Sequence, residues 1–215
     1  MRFLSLDLST NTGYAVFFGA EEEGDPALES YGLVTHKAAN YKADIKKFSD
    51  LPTEYPYNFI DTARKFGDTC VKIYQESGCE AVVIEHTEKG KQRLSQRLLE
   101  WINYAVVDAF TGIGVRVSYL LVSDWRTHTK CYLKFWPEHR VWNTKISKLK
   151  KIAAPTKSGA KIAKLEGNIV TKINQKKLSI ILANEAYGLE TKDDNIADAI
   201  NLGRAAWALL YAQAI

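Results

Sequence analysis

The stretch Arg2-Phe-Leu-Ser-Leu-Asp7, Leu8-Ser-Thr-Asn-Thr-Gly13, Tyr14-Ala-Val-Phe-Phe18 decides the fold. It reads as an apolar strand that ends on an acid, a turn of small residues, and a second apolar strand running back beside the first. On a strand Asp7 shares a face with Phe3 and Ser5, while Leu4, Leu6 and Leu8 face the other way. Taken alone, Asp7 reads most simply as a strand-end acid that starts an Asx-turn toward Gly13. Two further acidic sites stand in equally apolar settings. Glu85 ends Ala81-Val-Val-Ile-Glu85, and Asp194 and Asp198 lie in Asp193-Asp-Asn-Ile-Ala-Asp-Ala-Ile-Asn201. A carboxylate in an apolar element is costly unless a cation meets it. Several such acids, distant in sequence, point to one shared cation.

Working outward, strands are expected near Arg2–Leu8, Gly13–Phe18 and Leu28–Val34, then a helix from Asn58 to Ser77. A buried strand Ala81–Glu85, a helix Leu94–Phe110 and a fifth strand Val115–Val122 follow. Helices near Lys176–Tyr187 and Asn195–Tyr211 close the chain. The order is β-β-β-α-β-α-β and then helices, an α/β domain with three antiparallel strands followed by helix-linked ones. The 215 residues suit a single domain spanning 1–215, and 46% apolar residues suffice for its core. From Thr144 to Lys177 the composition turns to Lys, Ser, Ala, Gly and Pro155, which reads as an insertion or flexible arm.

The net charge of +4 hides a lopsided distribution. Arg126–Leu178 holds 14 Lys and Arg against two acids, Glu138 and Glu166, so this segment carries +12 and the remainder −8. A basic block beside an acidic site suits a polyanion held next to bound cations; a solvated Lys-rich loop is the plainer reading. Cys70, Cys79 and Cys131 are odd in number and form no Cys-x-x-Cys, against a disulfide framework and for a reducing compartment. His128, Cys131 and His139 match no common zinc spacing and lack a fourth ligand. Without a signal peptide pattern or an apolar run of bilayer length, a cytoplasmic protein with no membrane partner is expected.

Each acid has a plain alternative. Glu85 can be the first exposed residue after a buried strand. Asp193 or Asp194 can cap a helix. Asp198, flanked by Ile196, Ala197, Ala199 and Ile200, can be a buried acid paired with a basic residue. On a helix Asp194 and Asp198 share a face, where like charges repel. A cation accounts for all four at once. Oxygen-only donors favour Mg²⁺ or Mn²⁺ over zinc, and two such ions about 4 Å apart can activate water and stabilise the leaving oxygen of a phosphodiester. His86, next to Glu85 on a strand, faces away and reads as structural.

The three acidic stretches together resemble the motifs of RuvC-type Holliday-junction resolvases of the RNase H-like superfamily. Leu6-Asp-Leu-Ser-Thr-Asn-Thr-Gly-Tyr-Ala15 resembles the opening motif, Val82-Val-Ile-Glu85 the second, and Asp194-Asn-Ile-Ala-Asp-Ala-Ile200 the last. The likeness covers about residues 1–125 and 176–211. It implies an RNase H-like α/β fold, a mixed five-stranded sheet flanked by helices; the basic insertion at 126–175 before the C-terminal helices departs from the family pattern. It also implies a metal-dependent endonuclease that cuts branched DNA as a homodimer, with Asp7, Glu85 and Asp198 as ligands of two Mg²⁺ or Mn²⁺ ions. The fourth ligand departs from the pattern: the position three before the last Asp is Asn195, so Asp194 is assigned and Asn195 is the fallback. His86-Thr-Glu-Lys-Gly-Lys91 offers no aromatic wedge.

In the basic segment, Arg126, Lys145, Lys148, Lys150, Lys151, Lys157, Lys161 and Lys164 are expected to contact the DNA backbone. Tyr132, Phe135, Trp136 and Trp142 can stack on unpaired bases, but Trp125, Trp136 and Trp142 read better as packing a small subdomain. A catalytically inactive nucleic-acid-binding scaffold of the same fold and an RNA–DNA hybrid nuclease are the competing readings. A sugar-kinase- or actin-type ATPase is disfavoured by chain length and by the lack of a later Gly-rich phosphate loop.

Overall fold

The computed structural model describes residues 1–19, 24–36, 55–86, 93–152, 164–165, 168–169 and 173–211. Strands β1 (Arg2–Asp7), β2 (Asn11–Phe18), β3 (Ala27–Thr35), β4 (Ala81–His86) and β5 (Val117–Leu121) form one sheet in the order β3-β2-β1-β4-β5. The first three pair antiparallel, whereas β4 runs parallel to both β1 and β5. This is the mixed α/β sheet expected from the sequence. β4 lies between β1 and β5, and Val82, Val83 and Ile84 are fully buried, which is why its sequence is a run of aliphatics rather than an alternation.

Each face of the sheet has its own core. Leu4, Leu6, Val16, Val82 and Ile84 face α1 (Tyr57–Glu76) and α2 (Arg93–Gly112), packing on Phe66, Ile102, Val106 and Phe110. Phe3, Phe17 and Val83 face the other way. They meet α3 (Val122–His128), α5 (Gln175–Tyr187) and α6 (Asp194–Ala206), the last continued by a π-turn, Trp207–Tyr211. The alternation along β1 therefore sorts its side chains as read: Phe3 on one side, Leu4, Leu6 and Leu8 on the other.

Two differences from the sequence reading stand out. The fifth strand stops at Leu121, and the chain turns at once into α3, with the fully buried Trp125 in the main core rather than in a small separate one. The segment after Thr144 does not begin an arm, because α4 runs from Pro137 to Ile152. Ile146 is buried, and the Asn143 side chain both donates to the Ile173 carbonyl (2.6 Å) and accepts from its N–H (2.8 Å), tying the helix to the approach of α5. A two-residue hairpin, Lys164–Leu165 with Asn168–Ile169, follows. Among the described residues no helix is long and apolar enough to cross a membrane.

Candidate active site

Strand register places the first two acids. β1 and β4 are parallel with Leu6 beside Ile84, so one residue further on Asp7 lies beside Glu85 at the same end of the sheet. Both point to the α6 face, like Phe3 and Val83 before them. The turn after β1 is closed without Asp7. Thr12 donates its hydroxyl to the Ser9 carbonyl (2.7 Å) and accepts the Ser9 N–H (3.1 Å), and Ser9 accepts the Asn11 N–H (3.1 Å). The Asx-turn reading of Asp7 therefore fails, and its carboxylate is left to the site.

The third element is α6, and Gly13 decides how close it comes. Gly13 is the register partner of Asp7 across the β1–β2 pair. A Cβ there would lie 2.0 Å from the Asn195 carbonyl oxygen, so only glycine allows the helix backbone to rest on the strand. Ser5, also on this face, donates its hydroxyl to the Ala199 carbonyl at 2.6 Å and fixes the helix a turn further along. The buried Ala197, Ala199, Ala205 and Ala206 keep this packing close. Asp193 caps the helix by accepting the N–H groups of Asn195 (2.9 Å) and Ile196 (3.2 Å). Asp194 is thereby released from capping and lies one turn before Asp198 on the same face.

The acids act on one another. Burial pushes the Asp7 carboxyl well above the usual carboxylate range, and the charges of Glu85 and Asp198, with a smaller share from Asp194, push it the same way; Arg126 pulls it back. Burial also raises Asp198, against the Ser179 hydroxyl and Arg126, which favour its charged form. Arg126 lies 3.6 Å from Asp198, and Lys176 is ion-paired with Asp194. The plain alternative for Asp198, a buried acid with a basic partner, is thus met in part. It is incomplete, because Asp198 Oδ1 and Arg126 Nε are both buried without a hydrogen-bond partner among the described residues. Trp125 Nε1 donates to Glu85 Oε2 at 2.8 Å.

These residues fit a hard divalent cation: the donors are all carboxylate oxygens, one buried lone acceptor lacks a partner, and Asp7 has no cation within ion-pair distance among the described residues. In the described residues no three His, Cys, Asp or Glu side chains are drawn together tightly enough to hold a metal ion. That accords with like charges, two of which are drawn to Arg126 and Lys176. The same finding covers His128, Cys131 and His139. Cys131 is buried, with its thiol pushed up to about 11 by burial and by Asp198, and His139 stacks on Trp136.

No protein-family model matches the chain, and no curated protein sequence matches it. Solved structures do. A Thermus thermophilus RuvC structure superposes with a TM-score of 0.57 at 15% identity, covering 97% of this chain and 95% of that one. The T. thermophilus RuvC in complex with a Holliday junction substrate gives 0.58 at 14% identity over the same shares. The fold is RuvC-like, of the RNase H-like class. A yeast mitochondrial Holliday junction resolvase, Ydc2, aligns at a TM-score of only 0.41.

On this RuvC-like frame the four acids named from the sequence, Asp7, Glu85, Asp194 and Asp198, come to one end of the sheet. His86 turns away, edge-on to Tyr119. Of the expected DNA contacts, Arg126 lies in the acidic site, and Lys145 is exposed on α4. Lys148, Lys150 and Lys151 continue that helix and Lys164 sits on the hairpin, with side chains outside the described part. Lys157 and Lys161, and the loop from Thr87 to Lys91, lie outside the described residues. Sequence reasoning did not name three contacts at the acidic site: Gly13 as the seat of α6, Trp125 as a donor to Glu85, and Lys176 on Asp194. Gly13 left a signal as the glycine six residues after the first acid, and Trp125 as the residue just past the fifth strand.

Proposed function

We propose that the protein is a Mg²⁺- or Mn²⁺-dependent, structure-selective endonuclease that hydrolyses phosphodiesters in branched DNA. The observation that carries this reading is the convergence of Asp7, Glu85, Asp194 and Asp198 from β1, β4 and α6 on a RuvC-like fold, with the Asp198 Oδ1 buried and unpartnered. The similar structure solved with a Holliday junction substrate supports branched DNA as the partner.

The four carboxylates would hold two cations, which when bound supply an activated water and charge stabilisation at the leaving oxygen. The remaining work belongs to the chain. Gly13 and Ser5 set the distance between the acids of β1 and those of α6. Arg126 and Lys176 neutralise Asp198 and Asp194 when no other cation does. With His86 turned to Tyr119, that imidazole is not held at the acids, consistent with hydrolysis that relies on metal-bound carboxylates. The exposed Arg140 and Lys145 of α4 would meet phosphates, and a second copy of the chain would serve the opposite strand of a symmetric junction.

The test compares wild type with Asp7→Asn on a four-way DNA junction, a linear duplex of the same sequence and an RNA–DNA hybrid, in Mg²⁺, Mn²⁺ or EDTA. Paired nicks confined to the junction, dependent on the cation and lost in the variant while junction binding persists, are expected. Cleavage of the hybrid alone would reassign the substrate. Tight junction binding without cutting would favour the scaffold reading, in which Arg126 and Lys176 are permanent counter-ions.

A further inference from the structure

Trp125 is the bulkiest fully buried side chain among the described residues, yet it sits in the second turn of a seven-residue helix rather than in a long core element. Its position follows from the register of the sheet. Leu120 of β5 pairs with Glu85 of β4, and the chain turns into α3 directly after Leu121, so the first turn of α3 rises over the end of β4. The ring packs in the core with Leu178 and Ala197, and its only polar atom, Nε1, points to Glu85 Oε2 at 2.8 Å. A buried indole needs an acceptor, but a backbone carbonyl would serve at lower cost than an anion. The Arg126 guanidinium lies over the face of the same ring, 4.8 Å from the ring centroid, while reaching Asp198. One indole thus touches Glu85 with its edge and, with its face, the cation that meets Asp198. Unlike Arg126 and Lys176, its N–H donor is neutral, so it orients a carboxylate without cancelling its charge.

We propose that Trp125 is a positioning residue of the acidic site: its indole N–H holds the Glu85 carboxylate in the orientation that a divalent cation requires, and its ring face holds Arg126 at Asp198. This rests on the cation-binding reading above. Hydrogen bonds to ligating groups typically change metal affinity or activity by about 10–100-fold when removed.

The clean test replaces Trp125 with benzothienylalanine, which keeps the bicyclic shape and has sulfur in place of the N–H, alongside Trp125→Phe. Mn²⁺ affinity is read by calorimetry on wild type, Asp7→Asn and both Trp125 variants, with melting curves as the control for folding. Junction cleavage gives kcat and KM. The isostere is expected to melt close to wild type, to bind Mn²⁺ about tenfold more weakly, and to lose kcat with KM for DNA unchanged. Raising Mn²⁺ should restore its rate. Mn²⁺ affinity and kcat equal to wild type in a folded isostere, with wild-type binding still lost in Asp7→Asn, would overturn the positioning role and leave the cation site standing. Failure of wild type itself to bind Mn²⁺ in an Asp7-dependent way would overturn both.

Discussion

The two faces of the sheet are built from the same strands and held by different forces. Against α1 and α2 the contacts are mainly apolar: Leu4, Leu6, Val82 and Ile84 meet Phe66, Ile102, Val106 and Phe110, and the helices close on each other where Gly67 meets Ala105. Against α6 the apolar core of Phe3, Phe17, Ala197 and Ile200 is supplemented by polar pins: Ser5 on Ala199, Asp193 on the helix N–H groups, and the Asn201 amide on Ser179 at 3.0 Å. The first arrangement tolerates small shifts, since any close apolar packing serves. The second sets the seat of the helix that carries Asp194 and Asp198. Both faces hold a buried apolar core, and the α6 face adds these polar contacts.

Matched glycine substitutions would break that division most strongly. At Gly13 a Cβ would meet backbone at 2.0 Å, and neither β2 nor α6 can yield without moving a carboxylate. Gly13→Ala is expected to cost about 1–3 kcal/mol and to lower cleavage roughly 100-fold, as a displacement of about 1 Å at a catalytic group does. At Gly67 the added Cβ lies 2.8 Å from the Ala105 carbonyl oxygen, a smaller overlap on the other face. Gly67→Ala should cost about 1 kcal/mol and leave the cleavage rate unchanged below the melting temperature. Equal losses of activity in both, measured with melting curves in parallel, would show that the faces are not separable.

How the site was legible from sequence follows from the same contrast. Asp7, Glu85 and the Asp194–Asp198 pair could be read because their settings are local: a strand period of two, an aliphatic run ending in an acid, a helical spacing of four. The apolar face could be read for the same reason. What escaped were contacts between residues remote in sequence. Gly13 looks like an ordinary turn glycine until α6 is laid over it, 182 positions away. Trp125 could be placed just past the fifth strand, at the rim of the site, yet read as packing for a small subdomain, because nothing near it in sequence shows that Leu120 pairs with Glu85. The helix through Ile152 was hidden by its composition, since Lys145, Lys148, Lys150 and Lys151 mask Ile146, a buried residue among the described ones that helps hold it down.

Arg126 offers the next largest effect. With Lys176 it supplies the charge that holds the acidic end of α6 together in the absence of metal. Arg126→Gln leaves Asp198 buried without its partner. The pair is partly exposed and 3.6 Å apart, so the cost should be about 1–2 kcal/mol, below the roughly 3–5 kcal/mol of a fully buried pair. The same change removes a competitor for the site, so Mn²⁺ should bind more tightly and recover the lost stability. Melting curves with and without Mn²⁺ read both effects. Destabilisation that Mn²⁺ does not relieve would make the pair a permanent structural element and favour the scaffold reading.

Asp7 gives a smaller effect with a definite sign. Its carboxyl is raised above its unfolded value, first by burial and then by Glu85 and Asp198. In metal-free protein its contribution to stability is therefore full below the ordinary aspartate pKa and is lost as pH rises through the folded value. Asp198, raised by burial, acts in the same direction. In EDTA, Asp7→Asn should melt above wild type at neutral pH, by about 2–4 °C for each kcal/mol of relieved penalty, and the two curves should converge in acid. With Mg²⁺ the order should reverse at neutral pH. A variant that melts lower than wild type at neutral pH in EDTA would mean that the Asp7 charge is already compensated within the protein.

The smallest effect separates the acidic site from the basic residues of α4. Lys145 is exposed on α4, and on the proposed function its contribution to DNA binding would be that of one phosphate contact. Each such contact releases condensed counterions, and its loss flattens the slope of log K against log salt by about 0.9 on duplex arms. Lys145→Ala should therefore weaken junction binding at low salt, lose that deficit as salt rises, and leave Mn²⁺ affinity and the rate on bound DNA untouched. Arg126→Gln should show the opposite pattern, with Mn²⁺ affinity altered and the salt slope changed little. If both variants changed only the slope, Arg126 would belong with the DNA-binding surface, and the acidic end of α6 would depend on Lys176 alone among the described cations for its charge balance.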